Sequence, residues 1–284
     1  MPTDPGTIIH ALDYATKNLD IGHKYEEVTI FLTPGFAQSP HAGSARSSDA
    51  WVTKSTFAYD HQSYTRIILH EYVHTRQAFN QGAIGGMSWV IEGSADYFSY
   101  KLAQDVGVVS SQQYNNWLQN GSQTNAALSE RETWESEYVP YSRGGVYLAI
   151  LDHRIQETSN NSVETVFRRI NAVGGDEANV LVQRSLFLDT VENTSSVEVR
   201  NWANKSIDSA APYNVTTATA DTSSNSVLDE LADQFENRTA KKPYMSFIVA
   251  VMMGVVLGML PYEISRSKEE EAEGDEETAE EDLQ

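Results

Sequence analysis

His70-Glu71-Tyr72-Val73-His74 is the stretch on which the chain turns. On an α-helix, positions four apart lie one turn above each other, so His70 and His74 offer two imidazoles to one metal ion from a single face. Glu71 lies about a quarter turn round from His70. From there its carboxylate reaches a water held by the ion without ligating the ion itself. A zinc site of the catalytic kind needs three protein ligands and one open position. The third ligand is best sought on the next helix, where Trp89-Val90-Ile91-Glu92-Gly93-Ser94-Ala95-Asp96-Tyr97 supplies Glu92, 18 residues after His74. Asp96, one turn beyond Glu92 on the same face, can accept the free N–H of a zinc-bound imidazole and fix the ring. One Zn2+ per chain, held by His70, His74 and Glu92, is the metal this pattern predicts.

HEYVH followed by WVIEGSADY resembles the gluzincins, zinc peptidases whose third ligand is a glutamate on the following helix. Farther on, Val139-Pro140-Tyr141-Ser142-Arg143-Gly144-Gly145 is similar to the Val-Pro-Tyr-Glu-Lys-Gly stretch of the aminopeptidase and leukotriene A4 hydrolase family. In that family the tyrosine donates a hydrogen bond to the tetrahedral oxyanion, and the match implies this role for Tyr141. The spacing from Glu92 to Asp96 is also similar to the thermolysin-like branch, where the aspartate supports a zinc histidine. The similarity covers roughly residues 6 to 207. It implies a mostly helical α+β domain, a thermolysin-like zincin catalytic domain with a helical C-terminal continuation. Three departures accompany it. The aminopeptidases usually have one more residue between the second histidine and the glutamate, and their Gly-x-Met-Glu-Asn motif is absent from residues 35 to 60. Their N-terminal β-domain is also missing, so the chain reads as starting downstream of the family's usual beginning.

Composition narrows the alternatives. Asp and Glu number 40 against 20 Lys and Arg, a net charge of −20, which repels phosphates and argues against a nucleic-acid partner. Residues 263–284 hold 11 carboxylates against Arg266 and Lys268, leaving the first 262 residues at −11. Such a surface suits high salt, and also an ordinary acidic protein. The chain has no cysteine, so disulfides, thiolate ligands and cysteine nucleophiles are all excluded. Any metal must then be bound by His and carboxylates. Met1-Pro2-Thr3-Asp4-Pro5 has neither the basic start nor the apolar run of a signal peptide.

In chain order, a helix is predicted over 6–18 and a strand over Val28–Leu32, ended by Thr33-Pro34-Gly35. Residues 37–50 read as a loop, and Trp51–Phe57 alternates like a second strand. An extended edge near a zinc helix is where a peptide can add as a further strand. Asp60 is placed to cap the HExxH helix and Gly82 to stop it. Ser88 is placed to cap a helix over Trp89–Val106. Further helices are predicted over Gln112–Leu118, Tyr141–Ile155, Val163–Asn171, Ala178–Leu188 and Ser196–Ile207.

A metallopeptidase domain over 1–207 is thus followed by a Ser/Thr-rich stalk, 208–242, with Leu228–Phe235 amphipathic on it. Pro243–Tyr262 is 20 residues without a charge, long enough to cross about 30 Å of hydrocarbon. Residues 263–284 read as a solvated, disordered acidic tail. Gly254 and Gly258 form the GxxxG spacing of a weak homodimer contact. Asn-x-Ser/Thr sequons at Asn120, Asn160, Asn193, Asn204, Asn214 and Asn237 all precede the span, favouring an extracellular catalytic domain and a cytoplasmic tail. The function these readings imply is peptide hydrolysis by metal-activated water at a membrane surface, with a peptide or protein substrate. Glu71 would be the base, with Tyr141 as the oxyanion donor. Two alternatives stand beside it: an inactive peptidase-like binding or assembly module, and a zinc hydrolase acting on an epoxide or ester.

Overall fold

Among the described residues three short strands form one mixed sheet. β1 (Thr29–Thr33) runs parallel to β3 (Asp49–Thr53), and β2 (Gly43–Arg46) runs antiparallel to β3 on its other side, giving the order β1-β3-β2. Alternation along the strands sorts the faces. Ile30, Ala50 and Val52 are buried, while Phe31 and Trp51, opposite each other in register, stack at 5.6 Å on the outer face. The computed structural model describes residues 5–33, 43–53, 61–79, 82–174, 180–216 and 218.

Among the described residues there are eight α-helices: α1 (Pro5–Asn18), α2 (His61–His74), α3 (Trp89–Asp105), α4 (Ser111–Ser122), α5 (Gly145–Thr158), α6 (Val163–Val173), α7 (Arg184–Thr194) and α8 (Val197–Ile207). Their ends are fixed locally and at a distance. Ser110 and Gln113 form a reciprocal capping box on α4. Ser196 caps α8, whereas the first turn of α6 is capped from α5, where Asp152 Oδ1 accepts Val163 N–H at 2.7 Å. The core is one cluster in which Phe79, Trp89, Phe98, Tyr147, Phe167 and Phe187 are all buried. Rings there meet edge-on, as Trp89 does on Tyr147 at 4.9 Å.

Helix α5 is preceded by a π turn, Pro140–Gly144, that packs against α3. The two elements approach so closely because glycines face each other. A Cβ on Gly93 would lie 2.9 Å from the carbonyl carbon of Gly144. Arg143, fully buried on this turn, donates to the backbone carbonyls of Thr124, Ser209 and Ala211 and lies 4.0 Å over the Tyr213 ring. Residues 209–213, the start of the stretch read as a stalk, are thereby tied to the body, with Tyr213 N–H also donating to the Ser122 carbonyl at 3.1 Å.

Several expectations are corrected. The HExxH helix was predicted to run to Gly82, but α2 ends at His74. The chain turns there because Arg76 is buried beneath it, donating to the carbonyls of His23 and Leu19 and to Tyr72 Oη. The helix predicted over 178–188 begins only at Arg184. Residues 180–182 instead pair with the chain after α2, where Val180 N–H donates to Ala78 O and Val182 N–H to Gly82 O. Strand β2 lies in the stretch read as a loop. Ser88 precedes α3 but makes no side-chain cap bond. Among the described residues no helix is long and apolar enough to cross a membrane. The predicted span 243–262, with Gly254 and Gly258, lies outside the described residues, as do Asp60, residues 54–57 and the acidic tail.

Gly93→Ala tests the α3 packing. In an open helix interior the change gains about 1 kcal/mol of propensity. Here the Cβ meets backbone, and overpacking of this kind costs about 1–3 kcal/mol. The expected outcome is a lowered midpoint in thermal unfolding of the metal-free protein followed by circular dichroism. A raised midpoint would contradict the close approach.

Candidate metal centre

Helices α2 and α3 pack side by side, and their facing residues converge on one point. His70 Nε2 and His74 Nε2 are 3.1 Å apart, and each lies 3.2 Å from Glu92 Oε2. Corners of a tetrahedron about 2.1 Å in radius are separated by roughly 3.4 Å, so this triangle fits a zinc ion with two nitrogen ligands and one oxygen ligand. Both imidazoles are buried and Glu92 is about one-third exposed, so the cluster opens to solvent on the Glu92 side. Among the described residues this is the group of three His or carboxylate side chains placed to hold a metal ion.

Each histidine is oriented from behind. His74 Nδ1 is 2.9 Å from Gln77 Oε1, and the Gln77 amide nitrogen donates to Ile91 O at 2.9 Å and to Ser94 Oγ at 2.8 Å. With its amide nitrogen so engaged, Gln77 presents its carbonyl to the ring. Nδ1 therefore carries the proton and Nε2 keeps its lone pair for the metal. The turn that ends α2 at His74 brings Gln77 into this position. Behind His70, the Asp96 carboxylate lies 3.7 Å from Nδ1, an electrostatic contact longer than a hydrogen bond. Asp96 is buried and accepts from Arg66 Nη1 at 2.7 Å and from Trp117 Nε1 at 3.1 Å.

Glu71 is buried beside the triangle. Its neighbour is the backbone of β2, since a Cβ on Gly43 would stand 2.4 Å from Glu71 Oε1. The Tyr141 ring stacks on His70 at 5.6 Å, placing its hydroxyl on the Glu92 side. All six residues singled out in the sequence, His70, Glu71, His74, Glu92, Asp96 and Tyr141, are thus gathered within one site. Gln77, Arg66, Trp117 and Gly43 were not foreseen. Gln77, three residues after His74, carries a helix-face spacing that could have flagged it. The other three lie far from the motif in sequence or on its unmarked side.

The electrostatics follow from the burial of unlike charges together. Burial lowers the basicity of His70, but the carboxylates of Asp96, Glu92 and Glu71 around the ring outweigh it and raise the pKa to about 9. Burial pushes Glu92 upward, yet the two imidazoles of His70 and His74 beside it outweigh this and hold it well below the usual carboxylate range. Tyr141 is raised by burial first and then by the Glu92 charge, so it stays a neutral phenol with a proton to donate.

No family model matches the chain. No curated protein matches it either. Among solved structures, a crystal structure of an aminopeptidase N family protein from Idiomarina loihiensis superposes with a TM-score of 0.60 at 13% identity, covering 76% of this chain and 44% of that one. The likeness is one of fold, a mostly helical aminopeptidase-like α+β arrangement, and this chain spans less than half of that neighbour's length.

The raised basicity of His70 makes metal loading a proton exchange. Below about pH 9 the metal-free ring is protonated, so each bound zinc displaces that proton. Affinity is expected to fall about tenfold per pH unit on descending from 9, and to level off above it. Calorimetric titration of zinc in two buffers of different ionisation heat should show about one proton released near pH 7.5. Binding without proton release, or with a flat pH profile, would contradict this charge balance.

Proposed function

We propose that the chain is a zinc-dependent peptidase that hydrolyses peptide bonds with a metal-activated water. The observation that carries this reading is the triangle of His70, His74 and Glu92, its three donor atoms 3.1–3.2 Å apart, with Glu71 and Tyr141 alongside. When bound, zinc supplies Lewis acidity that polarises a carbonyl and brings the pKa of water from 15.7 to about 7. Glu71 then accepts the proton of the attacking water at its carboxylate and returns it to the departing amine. Tyr141 keeps its phenolic proton and donates a hydrogen bond to the oxygen on which charge develops. Strand β2 is an edge strand among the described residues and lies against Glu71, so it offers a margin along which an extended peptide can lie.

The same proposal places the enzyme at a bilayer. Residues 243–262 would form the single span, with the body extracellular, the acidic tail cytoplasmic and a weak dimer contact at Gly254 and Gly258. What supports it is the uncharged 20-residue run and the position of the sequons before it. Tail digestion by protease added outside sealed vesicles would reverse the orientation.

Full-length protein in detergent tests the chemistry. Glu71→Gln is expected to retain about one zinc per chain and lose peptide hydrolysis by about 100-fold or more. Glu92→Ala should lose the zinc itself, read by elemental analysis after dialysis. Tyr141→Phe should keep the metal and lower kcat by about 100-fold to 1,000-fold. Zinc-loaded wild type that leaves a diverse peptide library uncut, by mass spectrometry, would favour the binding-module reading instead.

A further inference from the structure

The carboxylate of Asp96 is held on both oxygens by residues outside the motif. Arg66 Nη1, one turn before His70 on α2, donates to Oδ1 at 2.7 Å, and this same oxygen faces His70 Nδ1 at 3.7 Å. Trp117 Nε1, from α4, donates to Oδ2 at 3.1 Å. The two donors are locked to each other through Tyr100. Its ring stacks on Trp117 at 4.3 Å and lies 4.6 Å beneath the Arg66 guanidinium. The outer sides of Arg66, Tyr100 and Trp117 line a pocket of about 300 Å³, so the remaining guanidinium N–H groups reach solvent and Arg66 is not a stranded charge.

A carboxylate free to spin about its Cβ–Cγ bond would present either oxygen, or neither, to the histidine. Held at both oxygens, it presents one. We infer that Arg66 and Trp117 are positioning residues that clamp Asp96 from two sides, fixing the oxygen that faces His70 and through it the orientation of the His70 ring toward the metal. The inference rests on the triangle being a zinc site and adds to it two residues that touch neither metal nor substrate. Support from a group behind a ligand commonly changes metal affinity about 10–100-fold, and here a third layer is built to fix the second.

The alternative is that the indole N–H and guanidinium merely satisfy a buried carboxylate, with no bearing on the metal. Zinc affinity, measured on the metal-free full-length protein by competition with a chelator, separates the two. Trp117→Phe keeps an aromatic ring against Tyr100 while removing the N–H donor, together with part of the ring volume, and is expected to weaken zinc binding about tenfold. In an Asp96→Asn background the same change should alter affinity by less than about twofold, because a clamp acts only through what it holds. Arg66→Met enters the same cycle, its effect vanishing once Asp96 is replaced, and Tyr100→Phe, which keeps the stack, should bind zinc as wild type does. With cobalt(II) in place of zinc, the visible absorption bands should shift in Trp117→Phe and not in Tyr100→Phe. Affinity within twofold of wild type in Trp117→Phe, or a loss that persists undiminished beside Asp96→Asn, overturns the clamp. If Trp117→Phe fails to fold, the Arg66 cycle decides alone. Failure of the underlying reading is distinguishable, because wild type itself would then bind no stoichiometric zinc.

Discussion

Three donor atoms within 3.2 Å of one another, one of them on a carboxylate and all set in a largely buried cluster, demand a positive charge among them. Without metal, that charge is a proton on His70, held there to about pH 9 by Asp96 and Glu92. The arrangement around the cluster follows from this requirement. Gln77 fixes the tautomer of His74, Asp96 stands behind His70, and Arg66 compensates Asp96 in turn. Charge therefore alternates outward from the centre, from His70 to Asp96 to Arg66, so that each of these groups faces one of opposite sign. A divalent cation arriving at the centre replaces a proton and leaves the outer alternation intact.

The fold delivers these groups through two contacts. Helices α2 and α3 lie side by side, bringing Glu92 to the two histidines, and the π turn lies on α3 where Gly93 and Gly144 leave no side chain between the backbones. π turns of this kind occur often at functional sites, where the extra residue re-aims a side chain. Here the turn carries Tyr141 onto the face of His70. Its neighbour Arg143 points the other way and ties the chain after α8 to the body.

What could be seen in the sequence was what local spacing encodes. The i, i+4 histidines, the glutamate one helix later and the aspartate one turn beyond it are read from helix periodicity alone, and most helices followed from apolar spacing. The remainder was set by contacts between distant segments. Helix α2 ends at His74 because Arg76 finds carbonyls from the chain after α1, and nothing near Arg76 in sequence announces them. Strand β2 is four residues, Gly-Ser-Ala-Arg, with no β-branched or aromatic member, and exists as a strand only because β3 pairs with it. Trp117 is 21 residues from Asp96, and its spacing carried no sign that an indole would meet that carboxylate.

Gly43 leaves only backbone between β2 and the Glu71 carboxylate. The strand and the carboxylate meet there without an intervening side chain, so the position of β2 and the aim of Glu71 are set by one contact.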